Sequence, residues 1–210
     1  MPVRAISNFK VYLKIVLVVA FFATTGFVSA HPHIWIDSTV AFQFNGNTLD
    51  HIEVEWVFDP FFTEMIMLDF DTNRDRQISA AESQEIQEGA FNNLRHFGYF
   101  LEIRIDDSRR DVTPEMIRSF RATMENDVLV YRFNVHVGQT LRRGLTRVTV
   151  AMYDETYFTE IALQEEPPAR LRGTLPNLEL ELAMETRMDR VWYFVNIPTR
   201  EVVLHIRRSS

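Results

Sequence analysis

The sequence contains no cysteine, which excludes a disulfide framework, a thiolate metal site, a cysteine nucleophile and a lipidated N-terminal cysteine. Any metal chemistry must rest on imidazole, carboxylate, carbonyl or thioether groups. Glycine is scarce, seven in 210 residues, so a collagen-like repeat is excluded, and 12% aromatic content excludes disorder. Lysine is absent after Lys14, so the later basic residues are all arginine. No segment after residue 30 is long and apolar enough to span a membrane. Phosphate-loop, dinucleotide, nucleophile-elbow and H-E-x-x-H signatures are all missing, and nothing else points to an enzyme.

The first thirty residues stand apart. Arg4, Lys10 and Lys14 precede an apolar run from Ile15 to Phe22, and Val28-Ser29-Ala30 closes the region. This is the pattern of a secretory signal peptide cleaved after Ala30, which predicts export to the periplasm. Ile15 to Val28 falls short of the ~20 residues a membrane span needs. The expected organisation is a signal peptide over 1–30 and one mature domain over 31–210. Cleavage leaves 19 basic against 29 acidic residues, a net charge of -10. Such a field opposes nucleic-acid phosphates and favours cations.

In the mature chain, Ile34 to Phe44 alternates with Ile36, Val40, Phe42 and Phe44 on one face, and Ile52, Val54, Trp56 and Phe58 form a second apolar row. These predict a hairpin within 31–58. A three-residue loop over Asn45 to Asn47 keeps the rows together, setting Ile36 opposite Trp56, Asp37 opposite Glu55 and His33 opposite Asp59. Asp59-Pro60 predicts a helix start, with Phe62, Ile66 and Phe70 at helical spacing. Ser79-Ala80-Ala81-Glu82 is a capping box, and its helix carries Ile86, Ala90, Leu94 and Phe97. The helix pair fills 59–98, and short alternating runs fill 99–210. The expected fold is α+β, mainly antiparallel β in a sandwich-like arrangement, with an EF-hand-like helix-loop-helix inserted after the first hairpin.

The stretch from Asp71 to Glu82 has the spacing of a calcium loop. Its oxygen ligands would be Asp71, Asn73, Asp75, the Gln77 carbonyl, Ser79 and Glu82, the last bidentate. Calcium suits this set because hard oxygens can crowd around it in number. Arg76 stands at the sharp turn where glycine is usual, and Arg74 and Arg76 oppose the three carboxylates. These features predict weak affinity, about 10⁻⁴ M or poorer. The competing reading is a polar turn with incidental acids.

A second candidate is the new terminus, His31-Pro32-His33. The amine and imidazole of His31 with His33 supply borderline nitrogen donors for Ni2+, Co2+, Zn2+ or Cu2+. Pro32 has no amide hydrogen, which excludes the copper/nickel geometry that needs a deprotonated second amide. In the predicted register Asp37, His51, Glu55 and Asp59 extend this cluster, although an exposed polar sheet face is the stronger account of His51, Glu53 and Glu55. Met65 and Met67 point to nearly opposite sides of a helix and read as packing.

His31-Pro32-His33-Ile34-Trp35-Ile36 after the leader, Trp56-Val57-Phe58-Asp59 and the Asp71-to-Glu82 loop together resemble a family of small exported proteins of uncharacterised function. Its members are described as periplasmic components of an uncharacterised ABC-type transport system, often encoded beside nickel/cobalt-type permeases. The resemblance implies an accessory role in divalent-metal traffic, with an inner-membrane metal permease as partner. It carries no ligand set, and Arg76 departs from the glycine common in the family's loop. The alternatives are a structural or adhesive exported sandwich stiffened by calcium, and a copper enzyme using an N-terminal His.

Overall fold

The alternation in the first mature segment yields two long strands, β1 (Ile34–Asn45) and β2 (Thr48–Phe58), in the computed structural model of the protein. The chain falls into two units, Met1–His31 and Pro32–Ser210. The second is described at residues 33–174, 177–192 and 195–208, so the predicted signal peptide and His31 lie outside the described residues.

The β1–β2 hairpin is tighter than the sequence predicts. Asn45 pairs with Thr48, leaving a two-residue loop of Gly46 and Asn47, with Gly46 at φ 57. A plain two-residue loop would mix apolar and polar rows. The parity is restored by a bulge: Phe44 pairs with Leu49 and Gln43 with His51, so Asp50 is the extra residue. Beyond it Phe42 faces Ile52, Val40 faces Val54 and Ile36 faces Phe58. The buried rows are those expected, but the register is moved by two residues.

The next elements are helix α1 (Pro60–Phe70), helix α2 (Ala80–Gly89) and a 3₁₀ segment (Phe91–Phe100). The strands that follow are β3 (Leu101–Ile105), β4 (Ser108–Arg110), β5 (Ile117–Glu125), β6 (Val128–Thr140) and β7 (Gly144–Met152). The last are β8 (Thr159–Leu163), β9 (Arg170–Gly173), β10 (Leu178–Trp192) and β11 (Val195–Arg208). One sheet runs β5-β6-β2-β1-β8, with β9 also on β1, and the other runs β10-β11-β7-β3-β4. The two share a core in which Phe42, Ile52, Trp56 and Phe133 meet Ile103, Val150, Val202 and Leu204. The Trp56 indole N–H donates across to the Met152 sulfur at 3.4 Å.

The sandwich is mostly antiparallel, but β8 and β9 run parallel to β1. The chain reaches β8 from the opposite sheet through β7 rather than by a hairpin, so nothing forces the antiparallel sense, and β9 continues along the same edge of β1. They cover one edge of the β1–β2 hairpin, and β6 covers the other.

The helix pair is tied to the larger sheet by buried hydroxyls. The Thr63 hydroxyl donates to the Asp59 carbonyl at 2.8 Å and accepts from the Leu129 amide at 3.1 Å. The Ser83 hydroxyl accepts from the Ala122 amide at 2.8 Å. The apolar stripe predicted through Phe97 outlasts the α-helix. Ala90 ends it at φ -120, and Gly98 and Tyr99 turn left-handed, which leaves Phe97 53% exposed.

Candidate functional site

Each helix bounding the 71–79 loop is capped by its own sequence signal. Asp59 accepts from the Phe61 and Phe62 amides at 2.8 and 2.9 Å, and Ser79 with Glu82 forms the reciprocal capping box. Between them the chain turns twice through the left-handed region, at Arg74 and Arg76, both at φ 59. Neither is glycine, so each turn carries a steric penalty that the surrounding contacts must offset.

Those contacts are main-chain amides gathered onto side-chain oxygens. The Asp71 carboxylate accepts from the Asp75 amide at 3.2 Å and the Arg76 amide at 3.0 Å. Asn73 Oδ1 also accepts from the Asp75 amide, at 3.0 Å, and Asp75 Oδ1 accepts from the Gln77 amide at 2.8 Å. Glu82 reaches back from α2, only 5% exposed, to accept from the Ser79 amide at 2.9 Å and the Thr72 amide at 3.0 Å. The Ser79 and Thr72 donors hold its carboxyl down at about 2. Side-chain oxygens of Asp71, Asn73, Asp75 and Glu82 are thus the acceptors that hold the loop's main chain. Among the described residues, however, no three His, Asp or Glu side chains are placed to hold a metal ion.

The arginine expected to repel a cation points elsewhere. Arg76 Nη2 lies 2.6 Å from a carboxylate oxygen of Glu64 on α1, which holds the Glu64 carboxyl below its ordinary range. Its charge is compensated outside the loop.

Among the described residues, the cross-strand pairs predicted beside the terminal histidines do not form, while His31 itself lies outside those residues. Because of the Asp50 bulge, Asp37 faces Val57 and Glu55 faces Thr39, so the two carboxylates are not opposed. Asp59 is joined not to His33 but to Trp35, whose amide donates to its carboxylate at 2.8 Å. Glu55 instead meets Arg132 at 2.6 Å. The His33 amide donates to the Phe158 carbonyl at 2.8 Å, and its ring lies 4.8 Å from the Phe158 ring. His51 Nδ1 is 2.6 Å from Asp50, whose other oxygen is 3.9 Å from His136 Nδ1. That Asp50–His51–His136 grouping depends on the bulge and on pairing with β6, which the hairpin's own sequence does not signal.

Residues 16–185 match a family described as a protein of unknown function, DUF1007. The chain belongs to this family. The DUF1007 match takes in the hairpin, the helix pair with its loop and most of the sandwich, ending within β10. Over 109 residues the chain is also 28% identical to an uncharacterised 15.5 kDa protein in the trpE 3′ region of Spirochaeta aurantia. That stretch covers 52% of this chain and 76% of the relative. Neither description names a ligand or a reaction.

Proposed function

We propose that this DUF1007 protein is an exported, periplasmic divalent-metal-binding accessory protein, with a calcium-type EF-hand-like site over Asp71 to Glu82. The observation that carries the reading is the loop's conformation: left-handed turns at Arg74 and Arg76 accompany main-chain amides gathered onto the side-chain oxygens of Asp71, Asn73, Asp75 and Glu82. The donor set is all oxygen and suits a hard cation of high coordination number. Asp71, Asn73, Asp75, the Gln77 carbonyl, Ser79 and Glu82 would hold Ca2+. The ion would brace α1 against α2. The family resemblance supports a role in metal traffic, in which the protein passes Ni2+, Co2+, Zn2+ or Cu2+ to an inner-membrane permease through His31 and His33.

A second reading has a specific observation behind it. The loop oxygens already have amide donors, so the loop can brace the helix pair of a structural exported sandwich without any ion. Calorimetric titration of protein beginning at His31, and of protein beginning at Ile34, separates the readings. Calcium binding near 10⁻⁴ M that vanishes in Glu82→Gln is the expected result. No calcium binding overturns the loop assignment in favour of the metal-free brace. Transition-metal binding lost on removing His31 to His33 supports the traffic role, and its persistence in the shorter protein overturns that role for the terminus.

A further inference from the structure

Strand edges are open hydrogen-bonding surfaces, and a few devices close most of those in this sandwich. β4 is three residues long, and β8 and β9 are five and four, with Pro167 and Pro168 between them. β5 is broken between Arg118 and Arg121 with Ser119 at φ 52, and its Ala122 amide is taken by the Ser83 hydroxyl at 2.8 Å. β10 is different. It is 15 residues long, contains neither glycine nor proline, and ends the smaller sheet. Over residues 178–187 it pairs with β11 in unbroken register, and no strand lies on its other side among the described residues. In an antiparallel ladder alternate residues turn both main-chain groups to the same side, so half of those in this run face away from β11.

The side chains along this edge define what it can accept. Leu178, Leu180, Leu182 and Met184 pack against the core but stay half-buried, so the apolar row of the sheet is incompletely covered there. Glu179, Glu181 and Glu185 alternate with them and are exposed. Glu179 leans on Arg207 at 3.8 Å and Glu185 on Arg147 at 2.8 Å, while Glu181 has no ion pair among the described residues. We propose that the free edge of β10 takes up an extended segment of a partner protein in which apolar and basic residues alternate. Main-chain hydrogen bonds extend the smaller sheet, the apolar residues complete its inner row, and the basic ones face the three glutamates. A second copy of the chain does not fit. The two antiparallel self-pairings that keep the apolar rows together and align most of residues 178–187 set Glu179 or Glu181 against Glu185. Like charges directly opposite are destabilising. The assignment is independent of the cation reading.

The probe is the alternating peptide acetyl-(Arg-Val)5-amide, titrated by calorimetry at about 0.15 M salt to screen diffuse attraction. One comparison peptide is acetyl-(Glu-Val)5-amide. The other is the Arg-Val peptide with proline at its fourth and seventh positions, which keeps most of the charge but interrupts the main-chain ladder whichever edge it presents. The expected result is binding of the Arg-Val peptide, about tenfold or more weaker for the proline version and absent for the Glu-Val one. Amide exchange should slow in β10 and not in β4 or β5. Glu181→Arg, which disturbs no ion pair, should weaken the Arg-Val peptide about fivefold and strengthen the Glu-Val one. Equal binding of the alternating and proline peptides overturns strand addition in favour of bulk charge. Protection at β4 or β5 instead of β10 overturns the choice of edge. Failure of the Arg-Val peptide to bind the folded wild type overturns the proposal outright. Dimerisation of the wild type that protects the β10 amides without any peptide overturns it in favour of a second copy.

Discussion

At Arg76 two requirements meet in one residue. Its backbone must be left-handed to bring the Asp75, Arg76 and Gln77 amides round, and its side chain must leave the loop interior to the carboxylates. The ion pair with Glu64 meets the second requirement, while the first is met against the preference of a side chain bearing Cβ. Arg76→Gly removes the steric penalty and a cation, at the expense of an exposed ion pair of small value. The melting temperature should rise by about 2–4 °C in the absence of calcium, read by circular dichroism, and calcium affinity should rise as well. An unchanged or lower melting temperature would mean that the Glu64 pair, not the turn, governs the loop. The spacing of Asp71, Asn73, Asp75 and Glu82 was legible in the sequence, as was the strained turn. The partner of Arg76 was not, because Glu64 sits a helix away and nothing local marks it.

Among the elements, the hairpin shows best where sequence reasoning holds and where it stops. The apolar rows of β1 and β2 were readable, as were the Asp59 cap and the Ser79–Glu82 box, because each rests on residues a few positions apart. The register was not, because the parity rule presumes that every residue in a strand is paired. Asp50 breaks that presumption, and with it went the expected meeting of Asp37 and Glu55. Deleting Asp50 should therefore be tolerated, because the two-residue loop then runs straight into the register in which Gln43 faces His51 and Phe42 faces Ile52, with no extra residue to accommodate. The expected outcome is soluble folded protein with a near-wild-type melting curve, read by circular dichroism. Loss of folded protein in the deletion variant would refute the reading of Asp50 as the unpaired residue that restores the register.

For the molecule as a whole, the distribution of buried and paired carboxylates sets the response to acid. Glu102 and Glu201, 6% and 3% exposed, lie on the smaller sheet among Arg104, Arg147 and Arg187. Burial pushes the Glu102 carboxyl up, but the Tyr153 hydroxyl at 2.6 Å and Arg187 at 2.8 Å outweigh it and hold the group below its ordinary value. Arg132 draws Glu125 down to about 2, and the Ser79 and Thr72 donors do the same for Glu82. All three carboxyls are thus lower in the folded chain than in the unfolded one. Their stabilisation is complete above the unfolded value of 4.5 and is lost as pH falls through the folded values, toward 2. The melting temperature should fall steadily across that window. Glu102→Ala should cost about 1.5–3 kcal/mol at neutral pH, because it removes the closest partner of the half-buried Arg187, which keeps Asp189 at 3.0 Å, and the acceptor of the Tyr153 hydroxyl. Glu102→Gln keeps the Tyr153 hydrogen bond and should cost less. Its deficit relative to the wild type should shrink as pH falls below the ordinary carboxylate range and the wild-type carboxyl takes up its proton. Denaturant titrations of both variants at neutral pH and near pH 3 measure this. A Glu102→Gln deficit that stays constant over the range would show that shape rather than charge holds the smaller sheet together at this residue.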